Sequence, residues 1–125
     1  MKKKEQYRLL ERQLSALLEG ETDTVAKMAN MAAAIHEAFG FWWTGFYRVA
    51  GEELILGPFQ GPVACMHIAF GKGVCGTAWA KEASVVVPVF GADGKVTAVL
   101  DIDSDRLATF DEEDRIGLER IVGLL

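Results

Sequence analysis

Cysteine is scarce in this chain, long apolar runs are missing, and basic residues never cluster beyond Lys2 to Lys4. Each lack excludes something. Two cysteines cannot form the framework that staples a small secreted domain, so they read as reduced or redox-cycling thiols of the cytoplasm. His67 follows Cys65 by two residues and shares its face if that segment is extended. A zinc site needs four ligands, however, and this pair stands alone, so no metal is assigned. Lys2–Lys4 could open a signal peptide, but EQYRLLERQL continues with charges at helical intervals, so neither an export signal nor a membrane span is expected. With 13 basic against 18 acidic residues the net charge is −5, and nucleic acid is not an expected partner. No repeat, linker or low-complexity stretch divides the chain.

What is present is a chain of 125 residues, half of them hydrophobic, which suits one compact core. Tyr7, Leu10, Leu14 and Leu17 recur at helical spacing, predicting an amphipathic helix over Lys3 to Glu19 that Gly20 stops, read as a packing helix or a homodimer surface. Thr22 or Asp23 caps a second helix with Val25, Met28, Ala32, Ile35 and Phe39 on one stripe and Gly40 at its end. His36 beside that stripe is given no chemistry.

Phe41 to Val49 is rich in aromatics and reads as a strand, turned by Ala50–Glu53 into Leu54–Leu56. Alternation puts Trp43, Gly45 and Tyr47 on one face. Ser84–Phe90 and Lys95–Asp103 read as a hairpin about Gly91-Ala92-Asp93-Gly94. Val96, Ala98, Leu100 and Ile102 share one face of its second strand; Thr97, Val99, Asp101 and Asp103 share the other. Two carboxylates on one face of an apolar strand are costly unless solvated or used. Their repulsion raises one pKa and leaves a neutral acid able to donate a proton, whereas an exposed strand end would explain them without chemistry. Phe110-Asp111-Glu112-Glu113-Asp114 marks the start of a last helix, with a staple, a cap and first-turn acids, and it reads as structural. Leu118, Ile121, Val122 and Leu125 form its buried stripe. That stripe is still apolar at Leu125, which predicts a helix continuing further.

The stretch Leu56–Trp79, LGPFQGPVACMHIAFGKGVCGTAW, holds both cysteines between glycines at 57, 61, 71, 73 and 76. Isolated cysteines are often merely small buried hydrophobes, but here each lies near a bend. Val74–Lys81 reads as a short helix with Cys75 in its first turn, where the helix N-terminus stabilises a thiolate.

LGPFQGPVAC, then GKGVCGTAWA, then VLDIDSD and FDEED, in this order and spacing, resemble the free methionine-R-sulfoxide reductases, a branch of the GAF-domain superfamily. The likeness runs over nearly the whole chain. It implies an α/β (α+β) fold: one GAF-like domain over residues 1–125, with a central antiparallel sheet, helices on one face and a pocket on the other. It also implies reduction of free L-methionine R-sulfoxide, with thioredoxin as electron donor and no bound cofactor. In that chemistry a thiolate attacks sulfur, an acid protonates the departing oxygen, and a second thiol converts the sulfenic acid to a disulfide. By resemblance Trp43 and Tyr47 hold the methylthio end, and Asp101 and Asp103 bind the sulfoxide oxygen or the amino group. Cys65 and Cys75 match the family's two other cysteines and are the candidates for the resolving role.

The family's attacking cysteine lies on a loop that this sequence lacks. Ser84–Val89 matches the strand before that loop and the strand after it equally well, so a cysteine-bearing loop near 84–89 is expected in a longer form of the chain. His67 and Ala69 also depart from the family, which commonly has a basic residue and a proline there. The competing expectation is an inactive GAF-type module that senses a small molecule, and a third is a switch made of Cys65 and Cys75 alone.

Overall fold

The computed structural model describes residues 1–69, 83–106 and 109–125. Among these are helices α1 (Lys3–Leu18), α2 (Thr24–Phe39) and α3 (Glu112–Val122), and strands β1 (Trp43–Ala50), β2 (Glu53–Gln60), β3 (His67–Ala69), β4 (Ser84–Phe90) and β5 (Val96–Asp103). The strands form one antiparallel sheet in the order β3-β2-β1-β5-β4. The helix expected over Val74–Lys81, Cys75, and the glycines at 71, 73 and 76 lie outside the described residues.

Local chemistry accounts for the element ends. Asp23 caps α2 by accepting from Ala26 N at 3.0 Å, and Gly40 closes it in the left-handed region at φ 67°. Asp111 and Asp114 form the capping box of α3. The β4–β5 hairpin turns at Gly91–Gly94, where Gly94 N donates to Gly91 O at 3.0 Å and Gly91 N to Lys95 O at 2.8 Å.

One face of the sheet meets the helices. Phe46, Leu100, Ile102, Met31, Ile35, Leu118 and Ile121 are fully buried there, each such side chain contributing about 1.5–3 kcal/mol by its removal from water. Helix α1 packs chiefly on α3 and α2, and it turns Leu18 inward while Leu17 is exposed, contrary to the expected stripe. In α2, Met31 joins the core and Val25 is exposed. A single turn offers several registers of an apolar stripe, and the neighbouring helix selects one.

Strand β2 runs to Gln60, beyond the expected Leu56, and takes Gly57 into the sheet. A Cβ at Gly57 would come 3.1 Å from Phe46 O. Strand β4 pairs with β5 at every residue from Ser84 to Val89, with no loop between them. Helix α3 ends at Val122 with Gly123 as its cap, so Leu124 and Leu125 do not continue it.

Candidate active site

The sheet face turned away from the helices carries a second apolar cluster built on Trp43, Tyr47 and Ile68. Alternation along β1 brings Trp43, Gly45 and Tyr47 to this face. In the β1–β5 pairing Trp43 stands opposite Asp103, Gly45 opposite Asp101 and Tyr47 opposite Val99. A Cβ at Gly45 would lie 2.4 Å from Phe59 Cβ and 2.6 Å from the Trp43 ring. The missing side chain is what lets Trp43 stack on Phe59, with ring centroids 5.3 Å apart, and on Tyr47, at 5.9 Å.

These residues open onto a cleft of about 370 Å³ lined by Trp42, Trp43, Tyr47, Val63, Ala64, Cys65, Asp101 and Asp103. The fold thus brings together five of the six expected site residues. The sixth, Cys75, lies outside the described residues. The Cys65 sulfur is in a disulfide. His36 shares a hydrogen bond with the buried Thr44 at 3.2 Å, and His67 pairs with Glu53 at 3.1 Å; neither lines the cleft.

Asp101 is 1% exposed, so the solvated strand end that could have explained the pair without chemistry does not apply to it. Burial, then the charge of Asp103, pushes its carboxyl up to about 7. Burial also raises Asp103. Near neutrality the pair therefore holds a proton, on the more deeply buried acid. Tyr47 is pushed up to about 12 by burial and by the two carboxylates, so its phenol remains a donor.

Ser84, at the start of β4, donates from Oγ to Asp101 Oδ1 at 3.3 Å and was not foreseen as a site residue. It stands opposite Asp103 in the β4–β5 register. The register shift between Val89 and Phe90 decides which residue of β4 faces the acids, so counting back from the hairpin turn does not reveal Ser84.

No family model matches the chain. It is 43% identical to GAF domain-containing protein A of Dictyostelium discoideum, covering 98% of this chain and 92% of that protein. It is 36% identical to the free methionine-R-sulfoxide reductase of Escherichia coli, covering 100% of this chain and 89% of the enzyme. The chain belongs to the free methionine-R-sulfoxide reductase family. The structure of the family's Neisseria meningitidis enzyme, in complex with its substrate, superposes with a TM-score of 0.87 at 42% identity, over 99% of this chain and 88% of that one. Membership makes the protein one of a family of oxidoreductases on a GAF fold. The match to the Escherichia coli reductase extends over 148 positions against 125 residues here, so 23 positions of that family member face no residue of this chain.

Proposed function

We propose that the protein reduces free L-methionine R-sulfoxide to methionine, with thioredoxin returning the electrons and no bound cofactor. The observation that carries this reading is the cleft, where a buried acid that keeps its proton near neutrality, a second carboxylate, an aromatic wall and Cys65 face one hollow. Asp101 donates its proton to the sulfoxide oxygen as a thiolate attacks the sulfur. Methionine leaves, and the attacking cysteine is left as a sulfenic acid. A second thiol then displaces water from that sulfenic acid to form a disulfide, which the dithiol of thioredoxin reduces. The rings of Trp43 and Tyr47 offer the methylthio end an apolar surface on which sulfur packs well.

Cys65, once its disulfide is reduced, or Cys75 takes the resolving role in this scheme, and the attacking cysteine comes from a loop entering near 84–89 in a longer form of the chain. A second reading is binding without turnover, as in a GAF-type sensor. The unbroken pairing of β4 and the 23 unmatched positions of the Escherichia coli enzyme favour it for the 125 residues by themselves. One preparation of verified intact mass separates the two. Consumption of NADPH in a thioredoxin-coupled assay with the free R-sulfoxide supports the enzyme. Calorimetric binding without consumption selects the sensor, and neither signal overturns both.

A further inference from the structure

The segment 61–66 between β2 and β3 carries Cys65 over the cleft; Ala64 and Cys65 pack on the cluster of Trp43, Tyr47 and Ile68 and the Cys65 sulfur is in a disulfide, while two of its other side chains reach into solvent. Val63 is 96% exposed and Met66 69%. Its backbone is held besides by the capture of its carbonyls, an anchor that stays when the disulfide is reduced. Trp43 Nε1 donates to Pro62 O at 3.0 Å, Tyr47 Oη donates to Cys65 O at 2.9 Å, and Leu56 N donates to Met66 O at 2.9 Å. Both aromatic donors are 3% exposed and stacked on each other, and Phe59 backs the indole. A donor locked in this way defines where its acceptor must lie, because a hydrogen bond weakens steeply with distance and angle.

We propose that Tyr47, together with Trp43, is a positioning residue for Cys65 once its disulfide is reduced: the two side-chain donors hold the backbone of 62–65 so that the cysteine sulfur stays at the cleft that Asp101 and Asp103 also line. This role is separate from any contact of the rings with substrate. It rests on the proposed function only in taking the Cys65 sulfur as a group that must be placed. The phenol remains able to donate throughout the neutral range, since burial and the neighbouring carboxylates raise its pKa.

Tyr47→Phe keeps the ring and removes the one O–H. With the protein reduced, iodoacetamide trapping followed by peptide mass analysis reads the alkylation rate at Cys65 alone. Loss of one anchoring hydrogen bond is expected to raise that rate roughly three- to tenfold, while the Kd for free methionine sulfoxide stays within twofold. In the coupled assay kcat falls and KM holds. An unchanged alkylation rate with a weakened Kd overturns the proposal and makes the hydroxyl a ligand contact; an unchanged rate with an unchanged Kd overturns it as well. Trp43→Phe, which removes the indole donor, is expected to shift the rate in the same direction, and it decides the matter if Tyr47→Phe does not fold. Alkylation requires no sulfoxide turnover, so a faster rate in a protein that reduces nothing keeps this inference and discards the proposed activity.

Discussion

Asp101 and Asp103 stand two residues apart on the cleft face of β5, and the deeper of the two, 1% exposed, carries the carboxyl pushed up to about 7. Its raised pKa ties stability to pH. Between the ordinary carboxylate value, near 4, and about 7 the folded chain binds a proton that the unfolded chain has released. This contribution is therefore complete below pH 4 and lost as pH rises through 7. Asp101→Asn, neutral at every pH, is expected to gain on the order of a few kcal/mol over the parent at pH 8 and little at pH 4. Urea melts at the two pH values check this; equal differences at both would refute it.

The charge of Asp103 is part of what holds the Asp101 proton. Asp103→Asn removes that repulsion, so Asp101 ionises at lower pH. If the neutral acid grips the sulfoxide oxygen, affinity for free methionine sulfoxide declines through a midpoint near 7 in the parent and at lower pH in Asp103→Asn. Calorimetric titrations across pH 5 to 8 measure both midpoints, and coincident midpoints would remove Asp103 from this role.

Gly45→Ala puts a methyl group 2.4 Å from Phe59 Cβ and 2.6 Å from the Trp43 ring. Neither neighbour can yield without breaking the stack. Overpacking of this kind costs about 1–3 kcal/mol. The expected outcome is a lower melting temperature together with altered tryptophan fluorescence and weakened ligand binding, since the displaced indole lines the cleft.

Asp114 has a structural role at the opposite side of the sheet. It accepts from Tyr7 Oη at 2.6 Å, from Lys3 Nζ at 2.7 Å and from the backbone N of Asp111 at 2.9 Å while only 1% exposed. Asp114→Ala leaves the buried Tyr7 hydroxyl without its acceptor and undoes the capping box. A loss of roughly 2–4 kcal/mol is expected, with sulfoxide affinity unchanged. A variant that lost affinity but not stability would contradict this assignment.

Much of this was legible in the sequence because it is local. The caps at Asp23 and Asp111, the hairpin about Gly91–Gly94, and the alternation that sends Ala98, Leu100 and Ile102 one way and Asp101 and Asp103 the other depend on residues a few positions apart. The motif resemblance added Trp43, Tyr47 and Cys65, which line the cleft. Only the folded sheet decided that Asp101 lies out of water, that the shift at Val89/Phe90 brings Ser84 to it, and that Trp43 and Tyr47 direct their polar atoms at the backbone of 62–65. The physical reason is separation along the chain. Tyr7 meets Asp114 across 107 positions and Tyr47 meets Cys65 across 18. Periodicity reveals which face a side chain takes; packing and register choose what it faces.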